Sequence, residues 1–264
     1  MEREVIKRIE LFLFDMDGTL YLGNKLFPFT KELLCRIKRA GKRYIFMTNN
    51  SSKSVVDYVK KLESMGIEVT EDDFLTSSQA TAVYLKEHHN GKRLYVCGTE
   101  SLKAELRREG FAITEELSEV EAIVMGFDTE LTFKKLEDVC RLLLDRELTY
   151  VATNPDYVCP TEFGSVPDCG SVCDMIFNAT AKRPIVIGKP QAAMPLLSMK
   201  KCGVEPGRTA VIGDRIYTDI KSGLNAGAVS ILVMSGETTE EILNSSPDKP
   251  DIVLDSAEEL MPYI

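Results

Sequence analysis

The chain's most strongly patterned stretch is Leu11-Phe12-Leu13-Phe14, a continuous apolar run followed by Asp15 and Asp17. Such a run, without polar alternation, predicts a strand covered on both faces. The strand signal extends over Ile9–Phe14. It recurs at Arg43–Met47, Arg93–Cys97, Ala122–Met125, Leu148–Ala152, Ile185–Ile187, Thr209–Ile212, Ser230–Val233 and Asp251–Leu254. Between these runs lie helix-period stripes. Leu33, Leu34 and Ile37 form one, with Thr30 expected as its cap and Gly41 as its stop. Val55, Val56, Val59 and Leu62 form another, entered through Ser51–Ser54 and ended by Gly66. Pro195 falls early in the helix after Lys189, where a proline costs least. Alternating strands and helices predict an α/β protein with parallel sheets.

The spacing of the polar landmarks predicts two domains. From Asp15 to Thr48 there is room for one βα unit. From Thr48 to Lys189 there is far more than one unit needs, and that stretch carries strands and helices of its own. The expected division is a core from residues 1–80 and 185–264, with a second α/β domain inserted at 81–184.

Polar groups follow four of the strands. They are Asp15-Met16-Asp17-Gly18-Thr19, Met47-Thr48-Asn49-Asn50-Ser51, Gly188-Lys189-Pro190 and Gly213-Asp214-Arg215-Ile216-Tyr217-Thr218-Asp219. If the strands are parallel neighbours, the four sets meet at the carboxyl edge of one sheet, where ligands bind in open α/β sheets. A carboxylate can attack phosphorus, and a second one nearby can give and take the proton. Asp15, Asp17, Asp214 and Asp219 could not face an anionic substrate unaided. Two like charges about 4 Å apart repel by roughly 4 kcal/mol at an effective dielectric near 20. A hard divalent cation, Mg²⁺, resolves the repulsion. Lys189 offers a mobile cation, Thr48 a hydroxyl, and Asn49 lies just before a helix start. The lesser readings are a helix cap for Asp219 and a solvated loop lysine for Lys189, while Arg215 reads as a structural or ion-paired residue rather than a catalytic one.

Together the four motifs resemble the haloacid dehalogenase (HAD) superfamily, and most closely its NagD / 4-nitrophenylphosphatase branch. The resemblance covers essentially the whole chain. It implies a Rossmann-like doubly wound parallel-sheet core, with residues 81–184 as a C2-type cap that governs substrate choice. It also implies a phosphatase acting on small-molecule phosphomonoesters. Asp15 would be the nucleophile that forms an aspartyl-phosphate, and Asp17 the acid and base. Asp15, the Asp17 backbone carbonyl and Asp214 would hold Mg²⁺, with Asp219 holding the metal's waters or Lys189. Thr48, Asn49 and Lys189 would grip the phosphoryl group. Asp17 argues against dehalogenation, because a leaving halide needs no proton. In the cap, Asn154 and Asp156 match the branch's N-P-D, whereas Asp168 stands where glycine is expected. Either Asp168 faces the site and disfavours anionic leaving groups, or it is a surface turn acid.

Composition narrows the alternatives. A net charge of −9 disfavours nucleic-acid and membrane partners. No apolar run suits a membrane span and the charged N-terminus lacks a signal-peptide core, so a cytoplasmic protein is expected. Its oligomeric state, monomer or homodimer, is left open. Seven scattered cysteines read as reduced and structural; a Cys159–Cys169–Cys173 metal site lacks a standard zinc spacing. A phospho-accepting receiver domain shares the acid, Thr and Lys pattern but is about half this length. A binding protein that kept only the fold is the remaining alternative.

Overall fold

The computed structural model describes residues 2–89, 93–161 and 163–264. In chain order the strands are β1 (Leu11–Phe14), β2 (Tyr21–Leu22), β3 (Lys25–Leu26), β4 (Arg43–Thr48), β5 (Phe74–Thr76), β6 (Arg93–Cys97), β7 (Ala112–Ile113), β8 (Ala122–Met125), β9 (Thr149–Ala152), β10 (Val158–Thr161), β11 (Gly164–Pro167), β12 (Ile185–Val186), β13 (Thr209–Gly213), β14 (Val229–Val233) and β15 (Ile252–Leu254). The helices are α1 (Thr30–Arg39), α2 (Val55–Ser64), α3 (Ser77–His88), α4 (Glu100–Arg108), α5 (Phe133–Asp145), α6 (Cys169–Thr180), α7 (Ala193–Cys202), α8 (Lys221–Ala226) and α9 (Glu240–Ser245).

The chain packs as two compact units. One is Met1–Thr48, Val59–Leu75 and Lys189–Ile264; the other is Asn49–Tyr58 and Thr76–Gly188. The second unit reaches beyond 81–184 at both ends and takes in the segment 49–58 as well.

The first unit is built on a six-stranded sheet in the order β15-β14-β13-β1-β4-β5. Its pairings from β15 through β4 are parallel. Leu11, Phe12, Leu13 and Phe14 are all completely buried, as a central strand covered on both faces requires. Phe14 stands level with Ile212 on one side and Phe46 on the other. That register sets Asp15 level with Gly213 and Met47, so Asp214 and Thr48 follow one residue further along the same edge. The small β2–β3 hairpin follows the first motif.

Two local expectations fail for identifiable reasons. Thr30 does not cap α1: it is the helix's first residue, Phe29 holds the cap position, and the Thr30 hydroxyl donates to the Leu20 carbonyl at 2.6 Å. A competing acceptor before the helix takes the hydroxyl. Asp219 does not cap a helix either. It sits inside a π-helical turn, Ile216–Ile220, that runs into α8. Such turns put one extra residue into a helix and so re-aim a side chain.

The second unit carries a five-stranded sheet in the order β12-β9-β8-β6-β7, with parallel pairings throughout. Its core includes Ile123, Met125, Val139, Leu142, Cys169 and Ile176. The stretch 159–170, with two prolines and three glycines or serines, reads as a loop from sequence. The structure instead forms an antiparallel hairpin, β10–β11, and then enters α6; Glu162 of that stretch lies outside the described residues. The hairpin is mostly exposed, so no burial alternation marks it, and its prolines are of the kind edge strands tolerate.

All seven cysteines are free. Cys169 and Cys173 lie in the second core with their sulfurs 3.9 Å apart, and no third ligand joins them among the described residues. No helix among those residues is long and apolar enough to cross a membrane.

Candidate active site

Three carboxylates meet at the carboxyl edge of the first sheet. Asp15, Asp214 and Asp219 each bring an oxygen within 4.8 Å of the others, and among the described residues no other group of three potential ligands does so. β1 delivers Asp15, β13 delivers Asp214 and the π turn brings Asp219 back toward them.

Lys189 lies among them. Its ammonium donates to Asp15 Oδ1 at 2.6 Å, to Asp219 Oδ1 at 2.5 Å and to the Met47 carbonyl at 3.3 Å. Lys189 and Asp219 are almost fully buried, and Asp15 is partly open to solvent. Burial opposes the charge on Lys189, yet Asp15 and Asp219 outweigh it and hold the lysine above its ordinary range. Asp219 is pushed up to about 6 by burial, against the pull of Lys189, and Asp15 adds repulsion. The second Asp219 oxygen accepts from the Arg215 backbone N–H at 3.2 Å. Asp219 thus contacts Lys189 directly, one of the roles the resemblance implied for it.

Among the described residues no cation pairs with Asp214 as Lys189 does with Asp15 and Asp219. Burial pushes its carboxyl up to about 8, and the charges of Asp15 and Asp219 push further. Oδ2 accepts from the Glu237 backbone N–H at 2.7 Å, but the buried Oδ1 has no hydrogen-bond partner among the described residues. A buried acceptor without a donor is costly. An oxygen-only ligand set with one unsatisfied carboxylate oxygen fits a hard divalent cation.

Asp17 stays at the mouth of the site, exposed, with one oxygen 3.5 Å from the Gly23 backbone N–H. Its carboxyl is held above the usual aspartate range. Loss of hydration to the surrounding protein is the main cause, Lys61 opposes it, and Asp15 adds a smaller upward push. Thr48 is buried at the end of β4. Arg215 pairs with Glu237 at 2.7 Å.

Gly236 and Lys61 escaped the sequence reading, and Gly18 stood in the first motif without an assigned role. A Cβ on Gly236 would lie 2.0 Å from Asp214 Oδ2, and one on Gly18, whose φ is +79°, would lie 2.5 Å from the same atom. Both glycines make room for that carboxylate. The signal for Gly236 was the Ser235-Gly236-Glu237-Thr238 cluster directly after an apolar strand. Lys61, which pulls on Asp17, sits on α2 and carried no local signal.

The remaining expected site residues belong to the second unit and bond to one another. The Asn49 amide donates to Asp156 Oδ2 at 2.8 Å, and the Asn154 amide donates to the same oxygen at 2.9 Å and to Asp168 Oδ1 at 3.1 Å. All four are buried. Asp168 is therefore not a surface turn acid. It is the N-cap of α6, accepting from the Cys169 backbone N–H. Ser51 and Thr153 extend the network at 2.8 Å.

Comparison with known proteins agrees with this geometry. The profile of haloacid dehalogenase-like hydrolases matches residues 12–112, and the HAD-hydrolase-like profile matches 186–260. The chain belongs to the haloacid dehalogenase-like hydrolases. Within this HAD family it is similar to the crystal structure of a 4-nitrophenylphosphatase from Thermotoga maritima, with 42% identity, 98% of each chain covered and a TM-score of 0.94. NagD from Escherichia coli K-12 is 29% identical over 95% of this chain and 98% of its own, with a TM-score of 0.86. The 5'-nucleotidase YutF of Bacillus subtilis is 32% identical over 98% of this chain and all of its own length. This HAD chain is thus of the NagD / 4-nitrophenylphosphatase kind and, as an enzyme, a phosphoric monoester hydrolase.

Proposed function

We propose that the chain is a Mg²⁺-dependent phosphatase that hydrolyses small-molecule phosphomonoesters through a phosphorylated Asp15. The observation that carries this reading is the unpartnered Asp214 oxygen beside Asp15 and the Lys189–Asp219 pair.

Asp15 attacks phosphorus with a carboxylate oxygen, and the bond from phosphorus to the ester oxygen breaks. Asp17 gives its proton to the departing alkoxide, for which a carboxyl held above its usual range is suited. Water then attacks the acyl-phosphate, Asp17 takes the water's proton, and phosphate leaves with Asp15 restored. Lys189 and the Thr48 hydroxyl donate to the phosphoryl oxygens as their charge grows. Asn49 donates its amide to Asp156 within the other unit, so the grip is assigned to Thr48 and Lys189. Asp15, Asp214 and the Asp17 backbone carbonyl would hold the cation. Bound Mg²⁺ supplies the positive charge that lets an anionic ester approach these carboxylates.

The relatives are called a 5'-nucleotidase and a 4-nitrophenylphosphatase. Nucleotides, sugar phosphates, glycerol phosphate and phosphoglycolate are the substrates to screen, with aryl phosphates as convenient reporters. The second unit is proposed to be the C2-type cap that selects among them. The test is hydrolysis of 4-nitrophenyl phosphate with Mg²⁺, with a chelator, and by Asp15→Asn. Both chelation and the substitution should remove turnover, the latter by at least about a thousandfold, with the fold intact. Near-normal turnover by Asp15→Asn excludes the covalent route.

A further inference from the structure

The first unit has a second charged concavity at the opposite edge of the same sheet. Lys7 to Glu10 precede β1, Ala40 to Lys42 precede β4, and Gly207 and Arg208 precede β13. These nine residues line a cavity of about 590 Å³. That is the size of a small-molecule site, which runs to roughly 300–1,000 Å³. Because β1, β4 and β13 are parallel, this cavity lies at their amino ends while Asp15, Thr48 and Asp214 lie at their carboxyl ends.

Its charge is opposite to that of the molecule. Four cations, Lys7, Arg8, Lys42 and Arg208, line it against one carboxylate, Glu10, in a chain of net charge −9. Glu10 neutralises Arg208, with which it pairs, and Glu4 pairs with Lys7 at 2.7 Å. Arg8 and Lys42 have no carboxylate partner among the described residues. The Lys42 ammonium instead donates to the Lys7 carbonyl at 3.1 Å and sits 5.7 Å from the centre of the Phe12 ring. Burial holds this lysine below its ordinary range, with Glu10 opposing, so an added anion would relieve an existing cost. Gly41 and Gly207 have open space where a Cβ would stand, which leaves the wall free for a ligand to approach the backbone.

We propose that this basic cavity is an anion site for a small phosphate-bearing ligand, separate from the catalytic edge. Guanidinium groups bind phosphate oxygens through two parallel N–H donors, and Lys42 adds a held point charge. A singly charged carboxylate would leave part of the positive charge unanswered, whereas a phosphate dianion would match the two unpaired cations.

Equilibrium titration of the full-length protein tests it, in chelator so that no ester turns over. One arm uses inorganic phosphate and a second uses glycerol phosphate, which tells a free anion from an esterified one. Saturable millimolar or tighter binding in either arm is expected. It should weaken about tenfold or more in Arg8→Ala combined with Lys42→Gln, and persist in Asp15→Asn. Lys42→Gln keeps the stem over Phe12, and an unchanged melting temperature confirms the fold. Absence of binding by the unaltered protein in both arms overturns the proposal. So does binding that the double variant leaves unchanged or that Asp15→Asn removes. Because the readout is binding without metal, failure here leaves the catalytic reading untouched.

Discussion

The Lys189 ammonium donates to Asp15 Oδ1 at 2.6 Å, so the proposed nucleophile meets a cation 174 residues further along the chain before any substrate arrives. The same ammonium is shared with Asp219, which anchors it. In the proposed reaction the lysine neutralises Asp15 in the resting site and turns to phosphoryl oxygens when an ester binds.

Removing that cation should cost both stability and rate. Lys189→Met leaves a fully buried Asp219 without its partner. We expect a loss of about 3 kcal/mol near pH 8, since breaking one side of a buried pair strands the other charge. Denaturant unfolding measures the first effect. Steady-state kinetics should show kcat/KM lowered by at least about a hundredfold.

Metal-free stability should fall as pH rises. Burial pushes the Asp219 and Asp214 carboxyls up to about 6 and about 8 in the folded chain, above the ordinary value of 3.8. Between the unfolded and folded values the native state holds more protons than the unfolded chain. Stability from this source is thus full below the unfolded pKa and is lost as pH passes through the folded ones. Melting curves in chelator from about pH 5 to about pH 8.5 should show a decline that Asp214→Asn reduces. Mg²⁺ should raise the melting temperature most at the upper end. A decline as steep in Asp214→Asn would remove Asp214 as its source.

Gly236→Ala should impair the site through space alone. The added Cβ would stand 2.0 Å from Asp214 Oδ2, so that carboxylate must move. Mg²⁺ affinity and turnover should each drop by about tenfold or more. Raising the Mg²⁺ concentration should restore part of the rate.

Asp168→Ala tests a role that sequence and structure state differently. From sequence, Asp168 could set the charge of the leaving group. In the structure it caps α6 and accepts from Asn154. Loss of about 1–2 kcal/mol of stability is expected, with an unchanged ratio of rates on doubly anionic and neutral-tailed esters. A changed ratio at unchanged stability would return Asp168 to substrate selection.

The sequence by itself determined the parallel α/β architecture and set Asp15, Thr48 and Asp214 at one sheet edge, whereas the strand before Lys189, expected beside them, joined the other sheet. Leu11–Phe14 reads as a doubly covered strand because it is short, does not alternate and is followed at once by polar and glycine residues. Acids placed immediately after such a strand must emerge at its carboxyl end. What depends on one strand and its next few residues is local, and local patterns are legible. Only the tertiary structure decided how charges pair across strands. Lys189 reaches Asp219 because a π turn redirects that side chain, and no periodicity announces a single extra residue in a turn. Gly236 makes room for Asp214 from a loop far along the chain, and Asn49 turns its amide to Asp156 from another distant segment. The β10–β11 hairpin stayed hidden for a related reason: it is held by backbone pairing at the surface, where burial leaves no mark on the sequence. Distances between segments far apart in sequence exist only once the chain has packed.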